Sequence, residues 1–232
     1  MEFMFLFTER EDASARDPER FAEMKSFAGE LASHGQLRRG APLAPSSDGA
    51  RIRVRDGRAL VSDGPFAESK EVVGGVWIVD VGSREEALEI ARRCPHARYG
   101  TVEVHRVRFR DAVADPGKGV PFLLAFRMEP GLRDPDGSKL REMMEFGATL
   151  KQDGTLLEIA PLADEPPPAR IETRGGKFLV TDGPFAESKE AIGGYSIVRI
   201  AGRMEAIELA KRFPHARWGP VEVREILYFD PV

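Results

Sequence analysis

The sequence lacks most of the features that quickly assign a chain to a class. It has a single cysteine, Cys94, among 232 residues, which excludes an internal disulfide and a metal site built from several cysteines. No apolar run reaches the roughly 18 residues that a membrane-spanning helix needs. The N-terminus has no basic start of the kind that opens a signal peptide. These absences predict a protein of the reducing cytoplasm.

An excess of basic residues is also missing. The formal net charge is −4, from 34 Lys and Arg against 38 Asp and Glu, so neither nucleic acid nor an anionic membrane surface is the expected partner. The sequence has no phosphate-binding loop, dinucleotide fingerprint or nucleophile elbow. No spacing of His, Asp and Glu suggests metal ligands. We therefore expect no cofactor and no metal.

What the sequence does contain is one unit written twice. The nine residues Asp63–Glu71 recur letter for letter at Asp182–Glu190, an offset of 119 positions. The offset holds along both halves without insertion or deletion. We interpret residues 1–111 as repeat one, 112–120 as a linker rich in Gly and Pro, and 121–232 as repeat two.

Identity between the repeats is uneven. Positions 63–107 match positions 182–226 at 27 of 45 sites, whereas 3–43 match 122–162 at only 12 of 41. Core packing tolerates drift when volume is kept, so it does not explain an identical block that is largely polar. The identity of this block in the two repeats is explained either by the geometry of a turn or by a functional site.

The hydrophobic pattern of each repeat predicts strand–helix–strand, then a hairpin, then strand–helix–strand. In repeat one, Asp17 and Pro18 predict the start of a helix. Phe21, Met24 and Leu31 are expected to lie on the buried face of that helix. Asp56-Gly57 is a strong hairpin signal. Each repeat thus resembles the ferredoxin-like plan.

Two helices cover only one face of such a sheet, yet several strands are apolar on both faces, as in Phe3–Phe7. A strand of this kind must be buried on both sides. We therefore predict an α+β fold in which two ferredoxin-like halves pack sheet to sheet, an intramolecular dimeric α+β barrel. The chain is then a pseudo-dimer, and further pairing with a second copy stays open.

The block Asp-Gly-Pro-Phe-Ala-Glu-Ser-Lys-Glu, followed by Gly-Gly, Pro-His-Ala-Arg and Val-Glu-Val, resembles the DGPF branch of the YCII-related proteins. The resemblance covers nearly all of both repeats. It implies a dimeric α+β barrel, a bacterial origin and frequent genomic proximity to extracytoplasmic-function sigma factors. Enzymes in the wider group are thought to use a histidine early in the first helix. Here that region, Asp17–Phe21, has none.

The repeated block supplies several candidate site residues. Asp63 and Asp182 either begin a turn or place a carboxylate at the barrel mouth, beside a histidine. Phe66 and Phe185 either anchor the loop in the core or contact a ligand. Lys70 and Lys189 either belong to a solvated loop or bind an anion.

Downstream of the block, His96 and His215 are kept in both repeats, whereas His34 and His105 are not. The repeated pair is either a partly exposed helix-end histidine or an acid–base group. Glu103 and Glu222 lie among valines. They are expected either to face water, to pair with Arg98 and Arg217, or to bind a ligand.

Two functions follow from these candidates. The first is a small-molecule binding or regulatory protein, with a ligand between the sheets and a link to a sigma factor implied by the resemblance. The alternative is a cofactor-free enzyme of the lyase, isomerase or hydrolase type, with a His/Asp acid–base pair in the barrel cleft. A structural role for the block is a third interpretation.

Overall fold

Both repeats form the same series of elements. The structure, a computed structural model, describes residues 1–10, 17–66, 71–114, 117–129, 131–183 and 191–229. The first series is β1 (Glu2–Arg10), α1 (Pro18–Ser33), β2 (Leu37–Pro42), β3 (Ala50–Arg55), β4 (Arg58–Asp63), β5 (Glu71–Asp80), α2 (Arg84–Arg93) and β6 (Thr101–Arg106), followed by the short β7 (Asp111–Ala112). The second is β8 (Val120–Met128), α3 (Ser138–Gln152), β9 (Leu156–Pro161), β10 (Ala169–Arg174), β11 (Lys177–Asp182), β12 (Ala191–Ile200), α4 (Arg203–Arg212) and β13 (Val221–Glu225).

The start of α1 agrees with its sequence signals. Asp17 is the N-cap, its carboxylate accepts a hydrogen bond from Glu19 N at 3.0 Å, and Pro18 opens the helix. The predicted burial of Phe21 is wrong, since this side chain is 49% exposed. The helix buries Phe27 and Leu31 instead, because these residues lie over the sheet while Phe21 lies in the first turn, edge-on to Tyr228.

The four main strands of each repeat confirm the ferredoxin-like plan. In repeat one the order is β6-β1-β5-β2, and every neighbouring pair is antiparallel. Repeat two has the matching order β13-β8-β12-β9. Helices cover one face of each sheet, where Phe5 packs with Leu31 and Leu88 in repeat one.

The hairpins, however, are exchanged between the repeats. Hairpin β3–β4 of repeat one pairs with β13 of repeat two, and β10–β11 of repeat two pairs with β6 of repeat one. The exchange buries Ile171 in the helix-side core of repeat one and Ile52 in that of repeat two. This exchange was not predicted, since a hairpin pattern specifies its own turn but not the strand beside which it lies.

The opposite faces of the two sheets pack together, as predicted. Met4 and Leu6 of β1, Leu123 of β8 and Tyr195 of β12 meet in one buried apolar cluster. Single bridges Leu43–Ile226 and Val107–Leu162 join the repeats at the strand ends. The fold is therefore an α+β barrel closed within one chain. In the described ranges, no helix is long and apolar enough to cross a membrane.

The segment after repeat one begins as a strand. Asp111 and Ala112 of β7 pair with Ile159 and Glu158 at the edge of the second sheet, and Val113 N donates to Leu157 O at 2.9 Å. The start of the predicted linker is thus paired with repeat two. The domain boundaries themselves stay a prediction.

Candidate functional site

The aspartates that open the repeated block bind arginines across the two repeats. Asp63 forms an ion pair with Arg203 at the first residue of α4, and Asp182 forms the equivalent pair with Arg84 at the first residue of α2. Both carboxylates are exposed. Each aspartate ends an exchanged hairpin, so each ion pair ties that hairpin to a helix of the other repeat. The sequence interpretations offered a local turn or a histidine partner and did not foresee this contact.

Two further residues of the first block, Gly64 and Phe66, are closely packed. A Cβ on Gly64 would collide with the backbone oxygen of Ser46, so glycine is required by close approach. Phe66 is buried, and the guanidinium carbon of Arg51 lies 4.2 Å from its ring centroid, a cation–π contact. Phe66 packs inward, and a contact between its ring and a ligand stays a prediction. The remaining candidates of this block, Lys70, Lys189 and Phe185, lie outside the described residues.

Glu103 and Glu222 also join the repeats, but deep between the sheets. Glu103 accepts from Arg170 of the exchanged hairpin at 2.6 Å and from His105 at 3.0 Å. Burial alone would raise the pKa of Glu103, but these hydrogen bonds and charges outweigh it and hold the pKa at about 2.

Glu222 is the counterpart in repeat two. It accepts from Arg51 of the other exchanged hairpin at 3.0 Å and from Arg127 at 2.8 Å, with Arg224 at 3.3 Å. Burial would raise its pKa, and the three guanidinium groups lower it. The carboxylate therefore stays ionised.

The pairings predicted for these glutamates are wrong. Arg98 binds Glu23 at 2.5 Å and Arg217 binds Glu142, both on the outer surface. The arginines follow a helix on one face of the sheet, whereas Glu103 and Glu222 point to the other face. The sequence placed them close along the chain but could not assign them to opposite sides.

His96 and His215 are buried rather than partly exposed. His96 Nε2 donates to Thr8 O at 2.9 Å, and His215 Nε2 donates to Arg127 O at 2.8 Å. The ring of His96 packs against Gly100 and the ring of His215 packs against Gly219. A Cβ added to either glycine would collide with the ring. Burial lowers the pKa of His96 to about 4 and also lowers the pKa of His215. Within the described ranges, neither histidine hydrogen-bonds Asp63 or Asp182.

A cavity of about 140 Å³ opens beside His96, between the start of α1 and the end of the first sheet. Its apolar side includes Phe7, Met24 and Trp77. Its polar side includes Glu9 and Arg20. Burial raises the pKa of the Glu9 carboxyl, and the charge of Arg20 partly offsets the rise.

Sequence reasoning missed the cavity residues other than His96 because it searched for residues kept in both repeats. At the matching positions, repeat two has Met128 for Glu9, Lys139 for Arg20 and Ser196 for Trp77. The side chain of Met128 lies over Gly193, where an added Cβ would be 2.6 Å from its sulfur. A charged or aromatic residue present in only one repeat was the signal that could have found this site.

Comparison with known proteins places these features in a family. The model of the YCII-related domain matches the chain twice, over residues 1–110 and 121–230. This chain belongs to the YCII-related family. An uncharacterized protein of Rhizobium meliloti (strain 1021) is 40% identical over 67 residues, which are 29% of this chain and 54% of that protein. The chain thus spans about half the length of this curated relative.

Among solved structures, the YCII-related chain is similar to a crystal structure described as an anthrone oxidase-like protein. The match covers 98% of this chain and 91% of the other, at 9% identity and a TM-score of 0.43. This likeness is too remote to carry an argument about activity.

One more buried polar group of this YCII-related protein lies between the sheets. Glu158 is fully buried and accepts from Arg39 at 2.8 Å, from Arg110 at 3.3 Å and from the Tyr195 hydroxyl. Burial, with the negative charge of Glu158, raises the pKa of Tyr195. Both carboxylate oxygens of Glu158 have internal partners, so the group acts as a structural ion-pair network.

The remaining observations concern metal ligands and the single cysteine in the residues that the structure describes. No group of three or more His, Cys, Asp or Glu is arranged to hold a metal ion within those ranges. Cys94 is buried, and burial raises the pKa of its thiol to about 12. A thiol of this kind packs as a small apolar side chain.

Proposed function

We propose that this YCII-related protein binds a small molecule in the repeat-one cavity beside His96. The observation that carries the proposal is a cavity with an aromatic wall, a charged rim and a buried neutral histidine. Sites for small molecules combine mostly apolar walls with a few polar groups that fix orientation. A ligand between the sheets stays a prediction, and we favour the cavity because apolar side chains and the ion-paired Glu103, Glu158 and Glu222 lie between the sheets.

The size of the cavity limits its occupant. Its volume is about 140 Å³, close to the roughly 150 Å³ of an engineered apolar cavity that binds benzene. A single ring or a short branched chain therefore fits inside, and any larger part must extend past the rim. The lining includes Arg20 of α1, whose side chain is 38% exposed, so a polar extension would meet a charged group.

The state of His96 favours binding over catalysis. A general acid or base works best with a pKa near the pH of the reaction. The pKa of His96 is about 4, so its ring is neutral near pH 7 and accepts a proton reluctantly. A neutral imidazole remains a good hydrogen-bond acceptor. We therefore infer an orienting role for His96.

The enzymatic alternative retains one supporting observation. Glu9 has a raised pKa and lines the same cavity as His96, and paired groups with shifted pKa values are common at sites of proton transfer. A cofactor-free lyase or isomerase would use Glu9 as the acid. Its test is deuterium incorporation into a bound ligand in D2O, followed by mass spectrometry. Deuterium incorporation by the unaltered protein that is lost in Glu9→Gln would favour catalysis. The absence of incorporation by the unaltered protein would reject it.

Two assignments concern the branch of the family and a regulatory partner. The DGPF branch is supported by the two identical blocks that begin at Asp63 and Asp182. A regulatory link to a sigma factor stays a prediction of the family resemblance.

The binding proposal is tested with Trp77 as the reporter. The chain has two tryptophans, so Trp218→Phe assigns the indole N–H signal of Trp77 in an NMR spectrum. Fragments of one ring are then screened for shifts of that signal. We expect saturable shifts in this protein and their loss in Glu9→Met, which places the repeat-two residue in the cavity. The reciprocal variant Met128→Glu is the matched control and should retain them. A library without a single hit would reject the proposal.

A further inference from the structure

Arg20 presents an unused hydrogen-bonding edge at the rim of the repeat-one cavity. Its guanidinium carbon lies 4.4 Å from the ring centroid of Tyr99, and its Nε is 3.4 Å from Asp17 Oδ2. These contacts fix the plane of the guanidinium group. Within the described ranges, its two Nη atoms donate no hydrogen bond to protein. A planar donor pair of this kind matches the two oxygens of a carboxylate.

Asp17 does not compete strongly for that edge. Its other carboxylate oxygen caps α1 by accepting from Glu19 N at 3.0 Å, and the 3.4 Å contact uses only Arg20 Nε. Glu9 is the other carboxylate that lines the cavity. It is half-buried on β1 and makes no hydrogen bond to another described residue.

His96 supplies the second recognition element from inside the cavity. Its Nε2 must carry the proton because it donates to a carbonyl oxygen, Thr8 O. Its Nδ1 then has a lone pair and can only accept. Nδ1 hydrogen-bonds no other residue in the described part of the chain, and His96, which is 6% exposed, lines the cavity. An acceptor of this kind in a cavity wall favours a ligand group that donates a hydrogen bond.

We propose that the occupant is a small hydroxy acid of at most one ring, with its carboxylate on Arg20 and its hydroxyl donating to His96 Nδ1. This inference rests on the proposed function and names the ligand class for the same cavity. Repeat two lacks the arrangement, because Lys139 replaces Arg20 and donates to Arg133 O at 2.8 Å. A lysine also cannot offer the planar donor pair. Among the residues that the structure describes, the arrangement therefore belongs to repeat one.

Four ring compounds of similar size serve as probes of the full-length protein. 4-Hydroxybenzoate has both recognised groups, 4-hydroxybenzamide loses the charge, 4-fluorobenzoate loses the hydroxyl donor, and phenol loses the carboxyl group. Binding is followed by the Trp77 indole signal. We expect 4-hydroxybenzoate to bind about tenfold more tightly than each of the other three, the usual effect of one lost charged or buried hydrogen bond.

Variants separate the inference from the proposed function. Arg20→Met, which retains the apolar stem, should remove the preference for 4-hydroxybenzoate over its amide, while Lys139→Met in repeat two should leave it intact. Thermal denaturation checks that both variants fold. Equal binding of the amide and the acid would overturn the carboxylate assignment while the cavity stands as a binding site. If none of the four probes at 10 mM shifts the Trp77 signal, both the ligand inference and the proposed function are overturned.

Discussion

Arg39 and Glu158 occupy the same position in the two repeats, and they bind each other. Arg39 Nε lies 2.8 Å from Glu158 Oε2, and the two residues are 119 positions apart, which is the repeat offset. The contact therefore lies on the pseudo-twofold axis. In a symmetric dimer of one repeat, this position would bring two arginines or two glutamates together. Duplication within one chain allowed the two copies to diverge into an ion pair.

The charge-reversing variant Arg39→Glu tests the importance of this asymmetry. It places a second carboxylate against the fully buried Glu158, and breaking a buried pair costs about 3–5 kcal/mol. Urea denaturation should reveal a loss of that size. The neighbouring Arg38→Glu is the control, because Arg38 pairs with Asp80 at the surface and should cost at most about 1 kcal/mol. Equal losses in the two variants would contradict a special role for the axis.

The two kinds of contact that retain the exchanged hairpins should differ in strength. Glu222→Gln leaves three arginines beside a neutral amide, so we expect the free energy of unfolding to fall by about 3 kcal/mol or more. The measurement is equilibrium denaturation in urea.

Asp182→Asn is the matched change at the surface. Its ion pair with Arg84 is exposed to water and to screening by salt, so its loss should cost at most about 1 kcal/mol. A double-mutant cycle with Arg84→Gln isolates the pair. A coupling free energy well above that value would show that the aspartate has a further role, which the structure does not predict.

Stability should fall as the pH is lowered from 6.5 towards 4. Burial lowers the pKa of His96 from 6.5 to about 4 in the folded protein, so between these values the unfolded chain binds more protons than the folded chain. Acid then favours unfolding. Protonation of His96 alone should lower the free energy of unfolding by roughly 1 kcal/mol at pH 5.5 relative to pH 7.5. Denaturation at pH 7.5 and 5.5 measures the difference. In His96→Gln, which still offers a donor to Thr8 O, the difference should shrink by that amount, and an unchanged difference would refute the assignment.

Two glycines should respond in opposite directions to alanine. In Gly100→Ala the new Cβ would strike His96 Nε2 and lie 2.5 Å from Thr8 O, so the hydrogen bond between them is disrupted and thermal stability falls. Gly29 lies within α1, and no heavy atom beyond its chain neighbours and the adjacent helix backbone lies within 4 Å of an added Cβ. Gly29→Ala should therefore stabilise the helix by roughly 0.5–1 kcal/mol. A rise in the melting temperature of Gly100→Ala would exclude the tight contact.

The sequence by itself determined the duplication, the order of strands and helices, the cap at Asp17 and the sheet-to-sheet packing. These features leave local signals, because a helix cap, a hairpin turn and a two-faced strand are each specified within a few residues. Only the tertiary structure decided that the hairpins exchange, that Asp63 binds Arg203, and that Glu103 binds Arg170. The partners in these contacts are far apart along the chain, and each is compatible locally with several neighbours. The cavity at Arg20 was hidden for another reason: it combines α1, β1 and the turn at His96, which only the packed fold brings together.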